Sequence, residues 1–133
     1  MRKPSIMIIL IFLGILPLFG ETQYNIDEQL KDEYETVNTE LDNLYNLILE
    51  EYSNDLVFIE KFQMAQNNWI LFRDSHVDSL FPEEDKRFKY GSAYIMCYMI
   101  EMIQLTQQRI DQLDRWLQGV EDGELCRGSI KRK

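Results

Sequence analysis

Apolar residues recur at every third or fourth position along most of this chain, and this spacing is the feature that most limits its fold. A first stretch, residues 26–52, follows the spacing closely, with charged and amide side chains between its apolar members. A period of about 3.6 residues places the apolar side chains on one face of an α-helix. The sequence shows no strand-like alternation of useful length, so the pattern predicts an all-α protein.

Two further stretches carry the same period. The third begins after Gly91 and Ser92, where Ser92 suits an N-cap, and stops at Gly119. The second stops at Pro82, which cannot continue a helix. Its apolar face is predicted to contain Phe58, Phe62, Ala65, Trp69, Phe72, His76 or Val77, and Leu80.

Each of the three predicted helices is about 40 Å long. Helices of equal length with short connections favour antiparallel neighbours. The sequence therefore predicts an antiparallel up-down-up three-helix bundle over residues 24–118. Residues 119–133, which contain Gly, Ser and a basic end, are expected to form a flexible tail.

Residues 1–20 have the layout of a secretory signal peptide. Arg2 and Lys3 precede an apolar run over residues 6–19, and a basic start followed by about 7–15 apolar residues is typical of such signals. The run is short for a membrane span, which needs about 20 residues. Cleavage after Gly20 is expected, with an uncleaved anchor as the alternative. This interpretation predicts a periplasmic or secreted protein, which touches a membrane only through residues 1–20 if they stay uncleaved.

The chain is strongly acidic. It has 23 acidic and 14 basic residues and a net charge of −9, and the loss of Arg2 and Lys3 makes the mature protein more acidic still. Such a surface repels nucleic acid and attracts basic protein partners. The alternative is that the charge only keeps an exported protein in solution.

Residues that usually carry catalysis are scarce. The sequence has one histidine, His76, and two cysteines, Cys97 and Cys126, whereas catalytic triads and zinc sites require histidine or clustered cysteines. We therefore predict a non-enzymatic protein without catalytic residues, metal or cofactor, although carboxylate pairs leave a two-carboxylate hydrolase as an alternative. No disulfide is expected, because Cys126 reaches Cys97 only if the tail stretches back along the third helix.

The segment AQNNWILFRD, residues 65–74, introduces polar and aromatic groups into the second helix. A buried Arg73 needs a carboxylate or carbonyl partner, and Asp42 and Asp74 are the candidates. The interpretation is a polar network that fixes the register of the first two helices, and a ligand-contacting surface is the alternative. Spacings of three, four and three residues place one stripe of side chains together: Gln66, Trp69, Arg73 and His76.

The same segment resembles the A-Q-x-x-W-x-x-x-R-D motif of the LprI-type lysozyme-inhibitor domain of bacterial envelope and periplasmic proteins. Three weaker segments follow in the family's order. Residues 41–45 resemble L-N-x-x-Y, with Asp42 in place of Asn. Gly91, Ser92 and Met96 have the spacing of G-S-x-x-x-M. Thr106, Arg109 and Leu113 have the spacing of T-x-x-R-x-x-x-L. The resemblance covers roughly residues 26–117. The motif residues are predicted to be structural: Gln66, Trp69, Arg73, Asp74, Gly91, Ser92, Thr106 and Arg109.

The resemblance also implies an activity and one departure. Members are expected to bind lysozyme and block peptidoglycan hydrolysis. The family usually has a cysteine shortly after the R-D pair and another about five residues before the threonine, and these positions hold Val77 and Glu101 here. The usual disulfide between the second and third helices is therefore not expected, and its loss forfeits about 2–5 kcal/mol.

The segment PEEDKRFKY, residues 82–90, is the candidate contact with a lysozyme cleft. Lys86, Arg87 and Lys89 are expected to approach the catalytic carboxylates, with Phe88 and Tyr90 as apolar anchors. Many lysozymes are basic, so an acidic bundle would be steered towards them. The alternative for residues 82–90 is a solvated connector without a binding role. The alternative function for the whole protein is that of an envelope assembly module, which binds another exported partner through the acidic face of the first helix.

Overall fold

The computed structural model describes residues 18–133, with side chains from residue 24 onward. Four helices cover most of this length: α1 (Leu18–Glu51), α2 (Leu56–Leu80), α3 (Lys86–Tyr90) and α4 (Tyr94–Gln118). No strand forms in the described part, where Val120 and Arg132 make an isolated parallel bridge. The all-α prediction is confirmed, with one short helix more than expected. The predicted signal peptide lies outside the described residues except for residues 18–20, which begin α1.

The helix ends follow local chemistry. Asp55 caps α2, because its Oδ1 accepts a hydrogen bond from the Phe58 N–H at 2.9 Å. Gly119 ends α4 with φ of 68°, a region that glycine enters without a Cβ clash. The N-cap of α4 is Ala93 rather than Ser92, so the predicted cap is wrong by one residue. None of the helices in residues 18–133 is both long enough and apolar enough to cross a bilayer.

The core lies mainly between α1 and α4. The inner stripe of α1 faces Ile110 and Leu113 of α4, and Ile48 and Leu113 are fully buried. Burying side chains of this kind stabilises a fold by about 1.5–3 kcal/mol each. The buried stripe of α1 recurs at the helical spacing predicted from the sequence: Val37, Leu41, Leu44 and Ile48.

The contacts between helices give their relative directions. Tyr52, just beyond the end of α1, donates its hydroxyl to the Trp116 carbonyl near the end of α4 at 3.0 Å. Phe58, near the start of α2, packs on Tyr52 with ring centroids 4.7 Å apart. Arg73, late in α2, reaches Asn38 in the middle of α1. Thus α1 and α4 run in one direction and α2 runs in the other.

Helix α2 is rotated relative to the sequence-based prediction. Its buried side chains are Phe62, Gln66, Arg73 and Val77, whereas Phe72, His76 and Leu80 are exposed. Ala65 is exposed as well. The placement of Ala65, Phe72 and Leu80 on the buried face, and of His76 on the same stripe as buried Arg73, was therefore wrong. The reason is that α2 carries apolar side chains on both faces, so its spacing does not select the buried one.

The segment after Gly119 was expected to be flexible, and the structure instead folds it back onto the helices. Ile130 is buried, which gives the segment an apolar anchor. The Lys131 N–H donates to the Tyr52 hydroxyl at 2.9 Å, and the Lys131 Nζ contacts Glu51 Oε1 at 2.6 Å. The Trp116 indole N–H donates to Ser129 Oγ at 3.1 Å. These contacts close one end of the helical body.

Candidate functional site

A polar network lies between the three long helices, with Arg73 at its centre. The Arg73 side chain is buried, and the residue is only 8% exposed. Its Nε donates to Asp74 Oδ1 at 2.9 Å, and its Nη1 donates to Asn38 Oδ1 at 3.1 Å and to Thr106 Oγ1 at 3.4 Å. One guanidinium therefore joins α1, α2 and α4. Such fork geometry is available to arginine and not to lysine.

The Trp69 ring lies close to two guanidinium groups. The Arg73 Cζ is 5.2 Å from the ring centroid, and the Arg109 Cζ is 5.6 Å from it. Both distances fall within the range of cation–π attraction, which contributes about 0.5–2 kcal/mol per pair. Trp69 therefore links the arginine of α2 to the arginine of α4 without a direct hydrogen bond between them.

Gln66 and Arg109 form the second polar link between α2 and α4. The Arg109 Nε donates to Gln66 Oε1 at 3.0 Å, and its Nη1 donates to Gln112 Oε1 at 3.3 Å. Burial lowers the pKa of the Arg109 guanidinium, because desolvation penalises its charged form. Arginine side chains keep their proton in proteins, so Arg109 remains a cation.

The network provides its own hydrogen-bond partners. In the described part of the chain, no buried side-chain nitrogen or oxygen lacks a hydrogen-bond partner. Thr106, which accepts from Arg73, also donates to the Met102 carbonyl one turn earlier at 2.7 Å. A catalytic or ligand-binding centre usually presents at least one polar group towards an open cavity. The geometry here is that of a contact between helices.

Most of the motif residues meet in this network, and two do not. Gln66, Trp69, Arg73, Asp74, Thr106 and Arg109 come together, whereas Gly91 and Ser92 lie in the turn between α3 and α4. Gly91 has φ of 78° and donates its N–H to the Arg87 carbonyl at 2.9 Å. Gly91 and Ser92 therefore lie just before the start of α4, away from the Trp69 ring.

The partner of Arg73 on α1 was not found from the sequence. Asp74 is a partner as predicted, but the α1 partner is Asn38 and Asp42 is exposed. Asn38 lies four residues before Asp42, so both occupy the same side of α1 and spacing alone allows either. Charge favoured Asp42 in the sequence, whereas in the structure Arg73 Nη1 reaches the Asn38 side chain.

The predicted contact loop contains helix α3. Asp85 caps it by accepting the Phe88 N–H at 3.0 Å. Lys86 Nζ donates to the Phe81 carbonyl at 2.6 Å, and the Tyr90 ring packs edge-on against Phe81 with centroids 5.3 Å apart. Lys86 and Tyr90 therefore hold α3 against the end of α2.

Three residues of α3 project outward. Phe88 is 88% exposed, and Arg87 and Lys89 beside it are also exposed. The exposed ring therefore lies between two cations on a chain whose net charge is negative. We call Arg87, Phe88 and Lys89 the α3 tip.

A shallow groove of about 590 Å³ runs between α1 and α4. Its apolar floor includes Leu44, and half-exposed Leu47 lies at one side. Its rim carries the carboxylates of Glu40, Asp111 and Asp114. No group of metal-ligating side chains occurs among the residues with described side chains. The three carboxylates make the rim of the groove negative, which suits cationic side chains. We call it the α1–α4 groove.

The cysteines and the two departures from the family pattern lie apart from these surfaces. Cys97 is half-buried, Cys126 is exposed, and both are free thiols. Val77, at the usual position of one family cysteine, is fully buried. Glu101, at the other position, is half-buried on α4. Val77 therefore belongs to the buried apolar core.

Comparison with known proteins identifies the family. A family model described as lysozyme inhibitor LprI matches residues 20–113, a range that includes α2, α3 and nearly all of α1 and α4. No curated protein and no solved structure matches the chain. The resemblance seen in the AQNNWILFRD segment is confirmed, and the chain belongs to the LprI lysozyme inhibitor family.

Proposed function

We propose that this chain is an exported, non-enzymatic protein that binds a lysozyme and blocks its cleft. The match of the lysozyme-inhibitor family model over residues 20–113 carries the proposal. Residues 1–20 serve as the signal peptide, and the protein acts in the periplasm or outside the cell. The three long helices form an up-down-up bundle that acts as a rigid support for the contact surface.

The α3 tip is the proposed contact. Of the five residues predicted from the sequence, Lys86 and Tyr90 are engaged in holding α3, which leaves Arg87, Phe88 and Lys89 free to meet a partner. Lysozyme clefts contain two carboxylates, one of them ionised in the resting enzyme. A guanidinium or ammonium group pairs well with such a carboxylate once water is excluded.

The support of α3 contributes to this role. The Asp85 cap, the Lys86–Phe81 hydrogen bond and the turn at Gly91 hold the short helix before any partner arrives. A contact element that is already ordered loses less conformational entropy on binding. Phe88 then supplies apolar area at the centre of the contact, where aromatic residues contribute most to affinity.

The acidic body of the protein contributes to the encounter. Removal of residues 1–20, which contain Arg2 and Lys3 and no acidic residue, takes the net charge from −9 to −11. This charge attracts a basic lysozyme over a distance of about one Debye length, or roughly 8–10 Å. Steering of this kind raises the association rate and weakens as salt is added. The inhibitor is therefore expected to act more strongly at low than at high ionic strength.

The direct test follows lysis of a bacterial suspension by lysozyme in the presence of the mature protein. Slower clearing is expected, and unchanged clearing at a large molar excess in low salt would remove the inhibitor function.

Phe88→Ala and the double change Arg87→Ala/Lys89→Ala should each weaken inhibition on the order of tenfold or more. Leu125→Ala, at a residue that is also almost fully exposed, is the control for Phe88, and Arg115→Ala is the control for the cations. Inhibition that survives the α3 changes would move the contact elsewhere.

The α1–α4 groove supports a second candidate function. Its acidic rim and apolar floor suit a basic segment of another exported protein, so the chain would act as an envelope interaction module. A pull-down from envelope extract with the full mature chain distinguishes the two functions. A partner other than lysozyme, lost on Asp111→Lys/Asp114→Lys and kept on the α3 changes, would favour the module.

A further inference from the structure

A small apolar cleft of about 250 Å³ lies between the first half of α2 and the second half of α4. Three aromatic rings line it, those of Phe58, Phe62 and Trp116, and their centroids are 5.1, 5.5 and 6.2 Å apart in pairs. A cavity of about 150 Å³ lined by apolar side chains holds a benzene molecule. The cleft therefore has room for one aromatic ring and a short polar group attached to it. We call it the ring cleft.

The segment that returns after Gly119 forms one wall of the ring cleft. Ser129 lines the cleft, and its Oγ accepts the Trp116 indole N–H at 3.1 Å. The next residue, Ile130, is buried, which fixes this wall against the helices. Three separate parts of the chain thus bound the cleft before any ligand arrives, as is usual for small-molecule sites between helices.

Arg109 also lines the ring cleft and carries a charge that its own chain does not balance. Its Nε and Nη1 donate to the neutral amide oxygens of Gln66 and Gln112. Among the described residues, Arg73 has a carboxylate partner in Asp74, whereas Arg109 makes no ion pair. Burial lowers the pKa of Arg109, and a carboxylate beside it would act in the opposite direction. Arg109 is therefore a half-buried cation whose complement is an anion from outside the chain.

The other cation at the ring cleft is a weaker candidate. Lys61 is exposed, and its Nζ lies 3.2 Å from Glu60 Oε1, so a carboxylate of the same helix already accompanies it. Charge-assisted hydrogen bonds gain strength where water is excluded. Half-buried Arg109 thus offers the stronger contact to a bound anion.

We propose that the ring cleft binds a small aromatic carboxylate, with its ring among Phe58, Phe62 and Trp116 and its carboxylate on Arg109. One guanidinium balances one negative charge, so a monoanion fits better than a phosphate monoester, which carries nearly two charges at neutral pH. The lining favours an aromatic ring over an aliphatic chain, because aromatic pairs gain energy beyond the area that they bury. The volume of the cleft favours a free acid of one ring.

The ring cleft is separate from the two surfaces described above. It adjoins the start of α2, whereas α3 follows the end of α2. Asp111 and Asp114, which line the α1–α4 groove, do not line the ring cleft. The proposal therefore stands independently of lysozyme binding.

The first test titrates the purified mature chain with phenylacetate and follows the indole N–H resonance of Trp116 by nuclear magnetic resonance. A saturable shift with a Kd of about 1 mM or lower is expected. Phenylacetamide has the same shape without the charge, and it should bind at least about tenfold more weakly, because Arg109 gains no anion. The absence of a saturable shift with phenylacetate, or equal binding of the two compounds, overturns the proposal.

The second test locates the ligand. Ala65 lines the ring cleft and is exposed, so Ala65→Leu fills space in the cleft and leaves the buried core unchanged. This substitution should weaken phenylacetate binding on the order of tenfold or more, because the ring loses its place. Asn67→Leu, at an exposed position of α2 outside the cleft, is the matched control and should leave binding unchanged. Binding that Ala65→Leu does not weaken overturns the proposal.

The third test separates a charge partner from a structural role of Arg109. Arg109→Gln should abolish the preference for phenylacetate over phenylacetamide, because the variant offers no cation, whereas Arg109→Lys should keep part of that preference. A merely structural role would weaken both compounds alike and leave their ratio unchanged. A preference that survives Arg109→Gln therefore overturns the assignment of Arg109.

Discussion

The two ends of the helical body use the same kinds of side chain and bury them to different depths. At the end where α1 and α4 finish and α2 begins, Tyr52 and Phe62 are buried, with Ile48 and Leu113 beneath them. At the other end Phe81, Tyr90 and Tyr94 also form ring contacts, but all three remain half-buried. Aromatic contacts alone therefore do not make a core.

Coverage by other segments accounts for the difference. The first end is closed by residues 119–133, which bury Ile130 and bond to Tyr52 and Glu51. The second end is covered by α3, which has five residues and none of them buried. Regions with few buried apolar contacts open at lower free energy. We therefore expect the covered end to be the stable one and the α3 end to open first.

The largest contrast is expected from truncating one apolar side chain at each end. Leu113→Ala should lower the free energy of unfolding by about 2–5 kcal/mol, because it leaves a cavity at a fully buried site. Ile100→Ala, at a half-buried residue of the same helix, should lower it by roughly 1 kcal/mol, since less surface is lost. Urea denaturation followed by circular dichroism gives both values. Equal losses would mean that the two ends are equally well packed.

A smaller effect is expected from the arginine that lies between the two ends. Arg73→Ala should lower the free energy of unfolding by about 2–3 kcal/mol, because Asn38 and Thr106 lose a charged donor and Trp69 loses a cation. Arg73→Lys keeps the charge but not the fork of donors, so its loss should be intermediate. The same denaturation experiment measures both, and a lysine variant as stable as the original would argue against a need for several guanidinium donors.

The smallest contrast comes from the two glycines that follow α3 and α4. Gly91 and Gly119 have similar positive φ values, 78° and 68°, so alanine is strained at both positions. A Cβ at Gly119 would lie 2.9 Å from the Lys131 carbonyl oxygen, whereas one at Gly91 meets nothing within 4 Å. Gly119→Ala should therefore cost about 1 kcal/mol more in unfolding free energy than Gly91→Ala. Thermal denaturation of the pair compares them, and identical melting temperatures would show that the returning segment contributes little.

Helical spacing predicted the long helices well, because each has many turns over which the period repeats. It missed α3, whose five residues complete little more than one turn. It also failed to orient α2, where residues such as Phe62 and Phe72 lie on different sides and both are apolar. The folding back of residues 119–133 depends on Ile130 and on backbone hydrogen bonds, which composition does not reveal.

The polar network was partly predictable. Spacing brought Gln66, Trp69 and Arg73 onto one stripe of α2, because that relation is local to one helix. The links to Asn38 and Arg109 are not local, since they depend on how deeply α1 and α4 pack against α2. The exposure of Phe88 and the engagement of Lys86 are likewise tertiary properties that the sequence of the loop does not contain.

The chain has two tryptophans, and the fold places them in different surroundings. Trp69 lies between two guanidinium groups, while Trp116 lies among Phe58 and Phe62 and bonds to Ser129. Their fluorescence therefore reports on separate events. In a Trp116→Phe variant, emission comes from Trp69 and reports the loosening of the interhelical network. In a Trp69→Phe variant, emission comes from Trp116 and reports the release of residues 119–133 from the helices.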